Sequence, residues 1–215
     1  MSEAIRIPAI DEPHLKAKRR QIFLAVTRVL ARKSFHQATV KEMAQEAGIA
    51  AGSIYMYLRS KDEIVLLLAE SMVGELVEEL PEIRARTIDD PRAELLAIMR
   101  VVLSVIDRYR EAFAVLNHEV RYFEKNTQYR VAMREVLRPY KESLAGALER
   151  GRARGVIRFD DLWSVVEAVH MLCSGLAMGA SMLANTDKET YWREIAAMVE
   201  GRFFATERAT EGDSN

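Results

Sequence analysis

Residues 39–58 read TVKEMAQEAGIAAGSIYMYL. Thr39 with Glu42 three positions later has capping-box spacing, in which a hydroxyl takes a backbone N–H and the carboxylate reaches back. Val40, Met43, Ala44 and Ala47 then recur at helical spacing. A short helix therefore begins at Thr39 and ends at Ala47-Gly48-Ile49, where glycine can take the left-handed conformation that closes a helix. A second short helix is expected over 51–57. Helices this short do not persist alone. Val40, Met43, Ala44, Ile49, Ile54 and Leu58 must pack together and against Ile22, Val26 and Val29 of a preceding helix. The spacing is that of a helix-turn-helix, although an ordinary helical hairpin in a bundle fits it equally well.

Away from this stretch, apolar residues recur at helical spacing almost everywhere and sustained strand-type alternation is missing, so the chain is expected to be all-α. About nine helices are expected, near 13–33, 39–46, 51–57, 61–86, 91–107, 110–124, 127–153, 161–184 and 187–206. Ser60 with Glu63 and Thr186 with Glu189 repeat the capping-box spacing, and Asp90-Pro91 is a further helix start. Pro81 and Pro139 should kink or split their helices. The 215 residues, 49% of them hydrophobic, suffice to bury roughly 70% of the unfolded surface. The lone cysteine, Cys173, excludes an intrachain disulfide. No export signal opens the chain, and no Cys/His run has zinc spacing, so a reducing, cytoplasmic setting is expected.

The net charge of −1 argues against a polyanion partner until it is divided. Residues 1–61 carry eleven basic and five acidic side chains, a net +6, which leaves −7 on the remaining 154 residues. A small basic module attached to an acidic body fits nucleic acid on the first part only. The expected domains are 1–60, which carries the helix-turn-helix, and 61–215, in which 61–86 is a linking helix and 206–215 a polar tail.

The run from Lys16 to Ala69 resembles the DNA-binding module of the tetracycline-repressor (TetR) family. Thr39, Ala44, Ala47, Gly48, Gly52, Ile54, Tyr55, Lys61 and Ile64 fall in register with the family pattern. The resemblance implies a three-helix DNA-binding domain followed by a helical ligand-binding and dimerisation domain. Where the family has Ser, Lys and His-Phe, this chain has Ala50, Ala51 and Tyr57-Leu58. Its recognition segment presents Ala50, Ala51, Gly52, Ser53 and Met56, with no Arg, Lys, Asn or Gln for bidentate base contacts. Sequence reading should therefore rest on thymine-methyl contacts, Ser53, water and DNA shape. Expected phosphate contacts are Thr39 at a helix N-terminus, Tyr55, Tyr57, Lys61, Gln37, Lys41 and the Lys18-Arg19-Arg20 cluster.

The helix near 161–184 has no charge from Ala168 to Ala184. It falls short of a membrane span, with Glu167 and His170 near its start, and is expected to be buried on most sides, with no membrane partner. Gly175 and Gly179 permit close helix approach. The resemblance implies that this helix and the last pair with their copies in a homodimer, through Gly175, Gly179, Met182, Trp192, Ile195, Met198 and Val199. Two modules would then meet a pseudo-palindromic double-stranded operator. The resemblance also implies a ligand within the body. Met99, Leu103, Phe113, Leu116, Met171 and Met178 are candidates for an adaptable apolar lining, with Asn117, Arg121, Tyr122 and His170 to orient a hydrophobic inducer. AGIAAGSIYMYLRSKDEI, Glu119-Val120-Arg121 and LERGRARGVIR resemble the family's fatty-acid-metabolism repressors, which implies an acyl-CoA inducer; a drug-like or aromatic one is the other option.

Two rival classes fit parts of the same sequence. Glu167-Ala-Val-His170 is the Glu-x-x-His step of di-metal carboxylate enzymes, but such bundles use it twice and no second step exists here. No G-x-S-x-G, P-loop or G-x-G-x-x-G pattern appears either, so no enzyme, cofactor or bound metal is expected. A helical interaction protein that only resembles a DNA binder is the other rival, kept open by the nearly featureless recognition segment.

Overall fold

The computed structural model describes residues 13–58, 60–61, 63–123, 126–182 and 187–203. These form eight α-helices: α1 (Pro13–Leu30), α2 (Val40–Glu46), α3 (Glu63–Arg86), α4 (Pro91–Arg108), α5 (Arg110–Phe123), α6 (Thr127–Ala153), α7 (Leu162–Met182) and α8 (Lys188–Phe203). No β-strand occurs among the described residues. The expected starts are present as geometry. Thr39 accepts the Glu42 N–H while Glu42 takes the Thr39 N–H, and Asp90 and Ser60 accept the N–H groups of Ala93 and Glu63. The last helix differs: Asp187 caps α8 by accepting the Thr190 N–H at 2.9 Å, and Thr186 lies outside the described residues. Pro81 and Pro139 do not split their helices, since α3 and α6 run through both.

The chain divides into two units, one of residues up to Glu75 with Ile106–Arg138, the other of Leu76–Val105 with the chain from Pro139 onward. The charge boundary at Lys61 and this division do not coincide. The first turns of α3 bury Ile64, Val65, Leu67 and Leu68, and Glu70 and Glu75 on the same helix pair with Arg19 and Arg20 of α1.

In the first unit, Ile22, Phe23, Val26 and Val29 of α1 are buried with Met43 and Ala44 of α2 and with Ile54 and Leu58, while Val40 and Ile49 are half-buried. Gly48 has φ +64°, and the Ile49 N–H returns to the Ala44 carbonyl at 3.0 Å. This left-handed step lets the chain reverse directly after α2. The expected second helix is instead a 3-10 turn, Ser53–Met56, because four residues make too few hydrogen bonds to sustain an α-helix. The Phe23 ring meets Tyr109 edge-on at 4.8 Å. The Tyr109 hydroxyl donates to buried Glu75 at 2.6 Å, and Arg20 and Arg108 complete that carboxylate's shell.

In the second unit, Leu80, Ile83, Leu95, Ile98, Met99, Tyr140, Leu144, Leu148, Ile157, Val166, Val169, Cys173, Ile195 and Val199 form the core. Glu94, 3% exposed, is clasped by Arg150 through two hydrogen bonds, with Arg84 at 3.6 Å. Just beyond α6, Gly155, φ +72°, turns the chain back so that Ile157 lies against Gly151.

Helix α7 corrects an expectation. Among its described side chains only Val166, Val169 and Cys173 are fully buried, and 17% of the apolar window Leu162–Gly179 lies inside the chain. This helix is long and apolar enough to cross a membrane by length and composition. Its exposed Glu167 is nevertheless committed to Lys141 at 2.7 Å, a charge pair that hydrocarbon would disfavour. Trp163, Met171 and Met178 line its outer side, 52%, 59% and 47% exposed.

Candidate nucleic-acid interface

The surface of the first unit around α2 and the 3-10 turn is where sequence reading places nucleic acid. Ala50, Ala51 and Gly52 are exposed, Tyr55 is 55% and Met56 79% exposed, and Ser53 and Tyr57 are half-buried. Ile54 and Leu58, at 0% and 1%, fix the turn to the core, so the residues between them are presented by a rigid base. The turn offers methyl groups, a hydroxyl, a phenol and a thioether, but no guanidinium, ammonium or amide.

Thr39 does cap α2, and its hydroxyl both accepts the Glu42 N–H at 3.2 Å and donates to Glu42 Oε2 at 3.0 Å. Lys33 is 2.6 Å from the same carboxylate; its hydrogen bond, followed by those from Thr39, holds the Glu42 pKa down to about 2. The anion at this helix end is therefore the chain's own.

The basic surplus is unevenly free. Arg28 and Arg32 converge on Glu46, and Lys33 is held by Glu42. Arg19 departs from expectation: it is 8% exposed, donates to the Tyr57 carbonyl at 3.2 Å and pairs with Glu70, so it lies behind the turn, where it braces the backbone. Arg20 is spent on Glu75. Lys18, Lys41 and Lys61 make no ion pair among the described residues. Lys18 donates to Gln21 and Lys41 is exposed. Lys61 donates to the His36 carbonyl at 3.1 Å and sits 4.8 Å over the Phe35 ring. Exposed Gln37 accepts from the Ser34 hydroxyl. Thr39, Lys41, Tyr55 and Lys61 thus stay in the surface set, and Arg19 leaves it.

The expected ligand residues are divided between the two units. Phe113, Leu116 and Asn117 lie on α5 in the first unit, where Asn117 donates to the Phe113 carbonyl at 2.9 Å. Met99, Leu103, His170, Met171 and Met178 lie in the second, Met99 fully buried and Leu103 half-buried. Met171 and Met178 face outward, because Val166, Val169 and Cys173 already occupy the inner side of α7. The side chains of Arg121, Tyr122 and Met182 lie outside the described residues.

A residue that sequence reasoning missed stands beside His170. The Tyr140 ring is 5.7 Å from that of His170, and neither the Tyr140 hydroxyl nor His170 Nδ1 has a hydrogen-bond partner among the described residues. Burial pushes the His170 pKa down to about 4, leaving it neutral at pH 7, pushes the Tyr140 phenol up, and pushes the Cys173 thiol up to about 12. Cys173 is thereby unsuited to nucleophilic chemistry. Two orphaned polar groups in an apolar core cost free energy unless something else satisfies them. In the same unit an open cleft of about 490 Å³ is lined by Val77, Leu80, Pro81 and Ile98 together with Arg84, Glu94 and Arg150, none of them an expected ligand residue.

The family model for bacterial regulatory proteins of the tetR family matches residues 22–68, which span α1, α2 and the 3-10 turn and enter α3. Residues 22–68 are a tetR-family regulatory domain. It is 28% identical over 144 residues to the fatty acid metabolism regulator protein of Bacillus subtilis, covering 66% of this chain and 72% of that protein. It is 29% identical over 154 residues to the transcriptional repressor KstR2 of Rhodococcus jostii, covering 71% and 74%. The crystal structure of FadR from Bacillus subtilis in complex with stearoyl-CoA superposes with a TM-score of 0.70 at 23% identity, over 84% of this chain and 96% of that one. That superposition shows a shared all-α fold, and the curated relatives are regulators rather than enzymes.

On the outer side of α7, exposed Gly175 and half-buried Gly179 continue the line of Met171 and Met178, and Met198 of α8 is 60% exposed. Ile195 and Val199 are 1% and 2% exposed within the single chain. They serve its own core and leave the expected contact set. Trp192 is half-buried, with the Arg100 guanidinium 5.6 Å from its ring.

Proposed function

We propose that this chain is a tetR-family transcription repressor that binds a pseudo-palindromic operator as a homodimer and is released by a hydrophobic small molecule of the acyl-CoA class. The observation that carries the DNA-binding reading is the family match over 22–68, coincident with a rigidly held turn whose exposed residues face away from the core. In this reading residues 1–60 are the reading head and 61–215 the ligand-binding and dimerising body, at work in the cytoplasm where chromosomal DNA is. Ala50, Ala51, Gly52, Ser53 and Met56 enter the major groove, and Tyr55, Tyr57, Gln37, Lys41, Lys18 and Lys61 hold phosphates, while Thr39, its hydroxyl spent on Glu42, caps α2. The exposed apolar side of α7, with Met198, is the surface a second copy covers.

Two findings support an acyl-CoA-like inducer. One is the likeness to the fatty acid metabolism regulator and to the stearoyl-CoA complex. The other is the Tyr140 hydroxyl and His170 Nδ1, which a ligand's polar group would satisfy inside an apolar core. Ligand and operator then exclude each other by linkage. The likeness to KstR2 favours, as a second reading, another bulky hydrophobic guest. The test is DNase footprinting of the chain on its own promoter region, followed by titration with stearoyl-CoA. A protected dyad that the acyl-CoA releases is the expected result. Absence of salt-sensitive protection overturns the regulator reading, and protection indifferent to acyl-CoA overturns the inducer class.

A further inference from the structure

Among the described residues Glu75, Glu94 and Glu119 are buried carboxylates and Glu70 is 15% exposed, and three of these four are neutralised by guanidinium groups. Glu70 has Arg19, Glu75 has Arg20 and Arg108, and Glu94 has Arg150 and Arg84. The fourth, Glu119 of α5, is 8% exposed, and among the described residues its only ion-pair partners are two imidazoles. His36 Nε2 lies 3.3 Å and His118 Nδ1 3.0 Å from the same Glu119 Oε1. The three ligand atoms all fall within 4.8 Å of one another. A buried carboxylate retained without an arginine or lysine calls for another source of positive charge.

We propose that His36, His118 and Glu119 form a binding site for a divalent transition-metal ion of the zinc type. Two imidazole nitrogens and one carboxylate oxygen are a donor set such an ion takes, with a water completing the tetrahedron. At bond lengths of about 2.0–2.2 Å, adjacent ligand atoms in a tetrahedron lie about 3.3–3.6 Å apart. Two of the three edges are already near that length. The third closes by rotation of the imidazoles, whose side chains are 70% and 74% exposed and therefore meet little packing resistance. One ligand is already braced: Lys61 Nζ holds the His36 carbonyl and the Phe35 ring flanks the imidazole, a supporting shell of the sort that orients ligands in metal sites. Sequence spacing conceals the site, since His36 is far in the chain from His118 and Glu119 and joins them only because α1 and the loop after it pack against α5. The ion would pin the segment leading into Thr39 to α5.

The experiment is isothermal titration of Zn2+ into the full chain after EDTA treatment, with Co2+ absorption as a reporter of tetrahedral geometry. One ion per chain with micromolar or tighter affinity, and a thermal midpoint raised by Zn2+, are expected. His36→Ala, His118→Ala and Glu119→Gln should each weaken binding by at least about tenfold, as loss of even a supporting residue does. His14→Ala, an exposed histidine outside the cluster, should not. No heat at hundred-micromolar Zn2+, or affinity unchanged in His36→Ala and His118→Ala, overturns the proposal. None of these readouts involves DNA, so the outcome is independent of the repressor reading.

Discussion

Arg19→Ala separates a brace from a surface charge. The guanidinium makes two charge-assisted hydrogen bonds, one to the Tyr57 carbonyl behind the 3-10 turn and one to Glu70 of α3. The two side chains are 9% and 15% exposed, so water replaces little of what is lost. Each charge-assisted bond contributes about 1.5–3 kcal/mol net, but the two do not add in full, because Glu70 can escape by taking a proton. Burial already pushes its pKa up with Arg19 in place, and without Arg19 it rises further. The expected loss is about 3–4 kcal/mol at pH 7, within the range for breaking a buried pair by removing one partner. The assay is urea unfolding followed by circular dichroism, where the midpoint falls at unchanged slope. The deficit should shrink as the pH is lowered, since a protonated Glu70 needs no cation. Arg19→Met with Glu70→Leu should recover much of it. A change under about 0.5 kcal/mol, the usual size for an exposed position, accompanied by a flatter salt dependence of DNA binding, would refute the inward role.

Three further outcomes are expected. Lys61→Ala weakens binding to every DNA sequence alike and lowers the slope of log K against log salt by about 1; an unchanged slope in a fluorescence-anisotropy series removes Lys61 from the phosphate contacts. His170 has its folded pKa depressed to about 4 by burial, with Lys141 adding to the effect, so the unfolded chain binds the extra proton and stability falls as pH drops from about 6.5 to 4, by about 3 kcal/mol. His170→Leu should flatten that part of the pH profile, and an equally steep acid limb in the variant would count against the assignment. Met171→Glu puts a charge on the exposed side of α7; if the proposed homodimer forms there, the parent chain should sediment as a dimer and the variant as a monomer with the helical spectrum retained, and a dimer in both would move the self-association surface elsewhere.

Element boundaries were legible because their signals are local: Thr39 and Glu42, Asp90-Pro91 and the reversal at Gly48 each involve residues within one turn. The 3-10 character of Ser53–Met56 was not, since whether four residues make an α-turn depends on how Ile54 and Leu58 are drawn into the core. Arg19 reads in sequence as one of three consecutive cations, and its neutralising partner Glu70 stands on another helix, so nothing nearby distinguishes it from Lys18. Which side of α7 faces inward was ambiguous for a similar reason. An almost uniformly apolar helix has no polar face to orient it, and Met171 and Met178 were as plausible inside as Val169 and Cys173. Tyr140 stands at helical spacing with Leu144 and Leu148, both fully buried, which is the local signal of its burial. The pairing of His36 with His118 and Glu119 left no trace in sequence, as it exists only through packing.

The segment 50–58 around the 3-10 turn divides its residues between two kinds of constraint. Ile54 and Leu58 are anchored with essentially no exposed surface, while Ala50, Ala51, Gly52 and Met56 project into solvent and Gly52, where an added Cβ would meet nothing within 4 Å, has ordinary backbone angles. Substitutions at the outward positions therefore change the chemistry presented to a partner with little change in folding free energy. Over evolutionary time such a segment can be rewritten one residue at a time without passing through an unfolded intermediate sequence. Two chains sharing this scaffold can diverge in the site they recognise while remaining alike in every property that a stability measurement reports.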